Sequence, residues 1–528
     1  MTQSRREKAF FWALFAFLFF LFMILPSIGG TIFASPDETA YARVAEQIAL
    51  HHRVFLPDHV VGAFPWVHPR SWISLGDKMA PVGFLGWPWV LSFFAGIGGV
   101  AFLPWIGSLL LLSASWPFFR LLLARFGFWP AWLGTLVAFT VPSMILYGNR
   151  SLFPNGAVLA LAVWVFWLID FLIHTRAKKT IWYFIISFLA VLCLAMRPIE
   201  ALWILPWWIF AGKLLRPTRR GWIAMACGIL LVLLPLGWYA RGAYGSFFGI
   251  GYGRADQITA KTQMVTSVVS LSAPVAPASS VWWLPYGFHP RILLWNIGAY
   301  FGWLFLPWTI LAVAAIAHVL WRIKRECGWK KVNPYFLLIL WTLFILLLVY
   351  GSGMYIDRFG PRQATIANSF LRYLLPISVF IGLAFAYLSR LALERKSWRT
   401  ACIAAAVFLA VFGMYRATFA DDEGVFSTRT ELIRYASIEQ SLSAWFRPGD
   451  LILSDRSDKI FFPTYRAVSP LPPPELVRNY ARGADIRIGL FVRPLSQKER
   501  DEWQRAGFEI QELASFSRER LYRLFPTP

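Results

Sequence analysis

Up to residue 418 the chain is dominated by apolar stretches long enough to cross a bilayer, which takes roughly 20 residues in a helix. They fall at about 9–28, 102–124, 128–148, 151–173, 180–195, 198–214, 221–240, 293–321, 333–353, 370–389 and 398–418. The pattern predicts an α-helical polytopic membrane protein with about eleven transmembrane helices. Pro81–Val100 is also apolar, but Pro88 and several glycines interrupt it. It reads as helices lying on or dipping into the outer surface. Beyond residue 418 the period changes. Asp450–Asp455 and Ile486–Val492 read as strands, and Thr430–Phe446 and Ser496–Ala506 as helices. The expected organisation is a transmembrane domain over 1–418, with a long outer loop at 29–101, and a small soluble α/β domain over 419–528.

Composition agrees. Of 528 residues 58% are hydrophobic and 15% charged, against about half and a quarter in soluble domains. Residues 419–528 hold 16 acids and 16 Lys or Arg, so the whole net charge of +23 belongs to the first 418 residues. There, 21 of the 35 basic residues lie in short loops on one side of the predicted spans. By the positive-inside rule that side is the cytoplasm, which puts the N-terminus inside and the C-terminal domain outside. Basic loops between spans point to the lipid bilayer and its anionic headgroups, and away from nucleic acid. The basic start and the apolar run Ala9–Leu25 look like a signal peptide; with so many spans following, they read as an uncleaved first helix. None of the four cysteines falls in an outer loop or in the tail, so neither a disulfide framework nor a cysteine metal site is indicated.

The polar chemistry faces outward. Loop 29–101 carries Asp37, Glu38, Glu46, Asp58 and Asp77 with His51, His52, His59 and His68, and His289 sits in the second outer segment. Ser35-Pro36-Asp37-Glu38 opens a helix: Ser35 as N-cap, Pro36 in the first turn and Glu38 three residues on spell a capping box. Asp37 has no such duty, and the helix dipole favours its negative charge. A carboxylate of this kind just outside a span is a candidate general base or metal ligand. The histidines read first as surface residues, with His68 and His289 the exceptions. Arg197 with Glu200 at the head of the sixth span is either functional or a structural ion pair. Gly249-Ile-Gly251-Tyr-Gly253 follows no strand and opens no helix, so no nucleotide cofactor is expected from it. Trp66, Trp72 and Trp282-Trp283 belong to an interfacial belt or stack on sugar or isoprenoid.

Pro36-Asp-Glu-Thr-x-Tyr-Ala42 after an N-terminal span resembles the GT-C glycosyltransferases, nearest to the protein O-mannosyltransferase-like and aminoarabinose-transferase-like branches. Gly76-Asp-Lys-Met-Ala-Pro81, Ser151-Leu-Phe-Pro-Asn155 and Arg372-Tyr-Leu-Leu-Pro376 are similar to further elements of that family, in the same order. The resemblance implies a GT-C fold and a transferase that takes a sugar from a polyprenyl-phosphate donor and gives it to a lipid, glycan or protein acceptor at the outer face of the plasma membrane. It also implies that Asp37, with Glu38, is the catalytic carboxylate pair. Asp77 becomes a site acid beside a divalent metal that His68 and His289 could join, and Lys78 faces the lipid phosphate. A phosphate leaving group needs charge neutralisation more than a proton, and Arg372, Arg362 and Arg254 are further outer candidates for that task. A transporter or flippase of a lipid-linked saccharide is the alternative, although no internal repeat or pair of broken helices points to it.

Overall fold

The computed structural model describes residues 5–175, 180–215, 217–252, 284–327, 332–354, 364–420, 424–482 and 486–527. Arg254, Arg362 and Trp282-Trp283 lie outside the described residues. All eleven apolar segments predicted above contain helix. Six helices are long and apolar enough to cross a membrane, or up to eight if each of two bent pairs counts as one span. The chain is a multi-pass membrane protein.

The bends have local causes. Phe128–Phe139 and Pro142–Asn149 meet at 63° around Thr140 and Val141, with Pro142 opening the second half. Thr180–Met196 and Pro198–Lys213 meet at 119°. The residue before a proline is pushed out of the α region, and Arg197 has φ −152° and ψ 89°.

Two compact units are present, and neither is continuous in sequence. One comprises Met1–Gly29, Pro104–Leu234 and Ser270–Ser427. In its core the helices Phe128–Phe139 and Leu375–Leu393 pack backbone to backbone. A Cβ on Gly134 would lie 2.6 Å from the Gly382 carbonyl oxygen, and one on Gly382 would lie 2.5 Å from Ala138 Cβ. Gly134/Ala138 and Gly382/Ala386 are thus two pairs of small residues spaced four apart, a device that lets membrane helices approach closely. Asn149, buried at 2% exposure, joins the end of the first helix through the Leu25 N–H (3.0 Å) and the Leu21 carbonyl (2.9 Å). Asn149-Arg150-Ser151 has the pattern of a glycosylation sequon, but its asparagine is taken up by these buried contacts.

The other unit comprises Gly30–Leu103, Pro235–Val269 and Thr428–Pro528. Helix Pro36–His51 packs along Gly86–Gly98. Beside it lies a three-stranded sheet that the sequence reading did not anticipate: β1 (Leu56–Pro57), β2 (Trp72–Ser74) and β3 (Lys78–Pro81) in the order β1-β3-β2, all antiparallel. The β2–β3 turn is tight, and Gly76 takes φ +65° there, a conformation glycine adopts without penalty. The C-terminal residues form β4 (Leu451–Ser454), β5 (Arg466–Val468), β6 (Ile488–Val492), β7 (Phe508–Phe516) and β8 (Glu519–Pro526) in the order β5-β4-β6-β8-β7. β4 runs parallel to both β5 and β6, and β8 is antiparallel to β6 and β7. β4 and β6 are buried at every position. They read as continuous apolar runs because both faces of the sheet are covered.

Candidate active site

Ser35, in extended conformation, caps helix Pro36–His51 by accepting the Asp37 N–H at 3.2 Å. The cap therefore engages the second helical residue, where the expected capping box would use the Glu38 N–H. Glu38 is buried, while Asp37 is half-buried. The Ser71 hydroxyl donates to Asp37 Oδ1 at 2.5 Å. Ser71 lies just before β2 with φ +66°, a region that a non-glycine residue enters only when its surroundings hold it there. Its carbonyl accepts the Val82 N–H at 3.0 Å, which closes the β2–β3 hairpin over the carboxylate.

Asp77 and Lys78 part company at that hairpin. Asp77 is exposed in the turn, with its carbonyl accepting the Asp58 N–H at 2.9 Å. Lys78 opens β3, donates to the Gly242 carbonyl at 2.7 Å and lies 4.8 Å from the centre of the Phe55 ring. Gly242 is in the last turn of helix Arg219–Tyr244, where carbonyls lack helical partners and a cation is favourable. An ammonium has three donors, so this contact does not exhaust Lys78.

Trp66 and Trp72 of the first loop pack against other aromatic rings. Trp72 is 2% exposed and lies against Phe462 at 5.5 Å, while Trp66 meets Tyr480 edge-on at 5.9 Å. Trp72 is therefore core, with no free face for a sugar or isoprenoid.

The membrane-helix unit holds a separate polar cluster. Arg197 Nε donates to Glu200 Oε1 at 2.9 Å, and Arg197 Nη2 donates to the Tyr350 hydroxyl at 3.0 Å. That hydroxyl in turn donates to Glu200 Oε1 at 2.8 Å, and Trp203 Nε1–H also reaches the Glu200 carboxylate. The Tyr350 and Tyr373 rings stack at 4.6 Å, and the Arg197 guanidinium sits 4.7 Å from the Tyr373 ring. Arg372, predicted as a phosphate holder, is 8% exposed. Its guanidinium lies 4.0 Å over the Phe153 ring, and Nη2 reaches the Tyr373 hydroxyl at 3.2 Å. Arg197–Glu200 is a real ion pair, and its aromatic walls went unrecognised in the sequence because Tyr350 and Tyr373 look like ordinary interfacial tyrosines.

Among the described residues, no three His, Cys, Asp or Glu side chains gather where an ion could be held. Asp77 is exposed at its turn. His68 shares Nδ1 with the Pro69 carbonyl at 3.0 Å. His289 is exposed, and its backbone N–H donates to Ser352 Oγ at 2.9 Å.

Neither a family profile nor a curated protein matches the sequence. Solved structures do. ArnT from Cupriavidus metallidurans in the apo state superimposes with a TM-score of 0.54, 11% identity and 97% of both chains covered. The same protein bound to undecaprenyl phosphate gives 0.51 at the same identity and coverage. The chain has a GT-C fold. Asp37 lies at the helix start that the sequence predicts, Lys78 opens a strand that it does not predict, and Ser71 and Arg70 are absent from the sequence-based candidates. No local pattern marks either one.

Proposed function

We propose that this chain is a membrane glycosyltransferase that moves a sugar from a polyprenyl-phosphate donor to an acceptor on the extracytoplasmic side of the plasma membrane. The observation that carries the reading is a likeness of fold, over 97% of both chains, to ArnT, a protein crystallised with undecaprenyl phosphate. The half-buried Asp37 carboxylate at a helix start supports the chemistry.

Asp37 takes the proton from the acceptor hydroxyl as its oxygen attacks the anomeric carbon. The bond from that carbon to the phosphate oxygen breaks, and its electron pair leaves with the phosphate. A single displacement inverts the anomeric centre. Lys78 neutralises the developing phosphate charge. Ser71 holds the Asp37 carboxylate in one orientation, which favours a single geometry of attack.

The test is mass spectrometry of lipids that co-purify with wild type and with Asp37→Asn, alongside transfer assays. Removal of a general base lowers transfer by about 100-fold or more, and the mutant accumulates the sugar-bearing polyprenyl phosphate. Full transfer by Asp37→Asn rejects Asp37 as the base. Equal amounts of intact carrier on both proteins, with no new glycosidic bond, point to transport instead.

A further inference from the structure

Asp37 sits where two chain segments meet: Ala34-Ser35 at the head of its helix, and Arg70-Ser71 before β2. One short turn of the C-terminal domain holds both. It follows β4 and contains Asp458 and Lys459. Asp458 is fully buried and accepts three bonds from Arg70: Nε at 2.9 Å and Nη2 at 2.6 Å on Oδ1, and the backbone N–H at 2.8 Å on Oδ2. Arg70 Nη2 also donates to the Arg456 carbonyl at 2.5 Å. Lys459 Nζ donates to the Ala34 carbonyl at 2.5 Å, and its ammonium lies 4.9 Å from the centre of the Tyr435 ring.

β4 lies between β5 and β6, both parallel to it. The space beyond the carboxyl ends of such strands is where open α/β sheets commonly take a ligand. Here the residues just past β4 take Arg70 of the chain's own first loop. A planar guanidinium making two bonds to one carboxylate fixes orientation as well as position. The next residue, Ser71, holds its positive φ between this anchor and the Val82 N–H, and it donates to Asp37.

We propose that the Asp458–Lys459 turn positions Asp37, so that the C-terminal α/β domain aligns the catalytic carboxylate of the same chain. The inference rests on Asp37 acting as the base. Without the Asp458 carboxylate, Arg70 loses its anchor, Ser71 relaxes out of the left-handed region, and its hydroxyl leaves Asp37. Asp458 and Arg70 are positioning residues, and neither touches substrate.

The experiment uses the full-length protein in lipid nanodiscs, with Asp458→Asn, Ser71→Ala and the double variant. Hydrogen exchange is read first, without substrate. Asp458→Asn is expected to raise exchange over residues 64–75 and 31–38, while β6 stays protected. In transfer assays kcat falls about 10- to 100-fold, the scale of an ångström-sized misplacement, and donor KM stays within about twofold. The double variant is no slower than the worse single one, because both act through the same bond to Asp37. Unchanged exchange over 64–75, or losses that multiply in the double variant, overturns the proposal. Should Asp458→Asn unfold the domain, seen as lost protection of β6, Arg70→Lys provides the same test, since a point charge cannot make the paired contact; normal exchange and kcat in that variant also overturn it. If wild type transfers no sugar from any polyprenyl-phosphate donor, the functional reading fails and the catalytic part of this proposal falls with it. The exchange result then still decides whether the grip exists.

Discussion

The Ser71 hydroxyl donates to Asp37 Oδ1 at 2.5 Å from a backbone that serine disfavours, φ +66°. The left-handed conformation costs a residue with a Cβ roughly 1–2 kcal/mol, and glycine adopts it freely. Ser71→Gly therefore separates two effects that usually move together. Thermal unfolding should shift upward or stay level, while the transfer rate drops about tenfold or more with the loss of the hydroxyl. A variant that is both less stable and fully active would show that Ser71 serves the hairpin alone.

The Arg197–Glu200–Tyr350 cluster makes the opposite prediction, in which stability suffers first. Glu200, 3% exposed, accepts from Arg197, Tyr350 and Trp203. Removing one partner of a buried ion pair leaves the other charge uncompensated, at about 3–5 kcal/mol. Glu200→Ala should therefore unfold at a much lower temperature than wild type. Tyr350→Phe loses only a bridging hydroxyl and should cost about 1–3 kcal/mol. Thermal melts of both variants in one detergent check the order. Equal stability of Glu200→Ala and wild type would mean the pair is not held together in the membrane.

These two clusters differ in how far the sequence reveals them. Asp37 was legible as a candidate because Ser-Pro-Asp-Glu spells a helix start whose first acid has no capping duty. Arg197 and Glu200 were legible as charges inside an apolar run. Ser71, Arg70 and Asp458 were not: a serine at positive φ reads like any other serine, and the bonds that give it meaning reach residues 34 and 388 positions from their partners. Lys78 was legible as a candidate, yet its carbonyl partner, Gly242, is 164 residues away. The C-terminal domain was legible where its strands are fully buried and mostly apolar, in β4 and β6. The β7–β8 hairpin is half exposed and rich in charge, so its alternation was too weak to read as strand.

His68 gives a pH dependence with a defined sign. Burial pushes its imidazole below the ordinary value of 6.5, and the Pro69 carbonyl and the Asp458 carboxylate offset only part of that. The folded protein thus favours neutral His68, while the unfolded chain takes up a proton near 6.5. The contribution to stability is full above that value. It declines as the pH falls through 6.5, and levels off once folded His68 also protonates. Melting temperatures measured from pH 8 to pH 5 should fall toward acid, and His68→Gln should flatten that slope. An unchanged slope would assign the acid sensitivity to other groups.

Gly134 and Gly382 carry the last prediction, because they set how closely two core membrane helices approach. A methyl on Gly382 would stand 2.5 Å from both Ala138 Cβ and the Gly134 carbonyl oxygen. No rotamer relieves a Cβ clash with backbone, so the helices must separate. Overpacking of this kind costs about 1–3 kcal/mol, and lost contact along the rest of the interface adds to it. Gly212, inside helix Ala201–Leu215, has nothing within 4 Å of the same added atom. There alanine should gain up to about 1 kcal/mol of helix propensity. Gly382→Ala and Gly212→Ala, identical in chemistry, should therefore shift the melting temperature in opposite directions. If Gly382→Ala melts with wild type, the helices do not pack as closely as these contacts require.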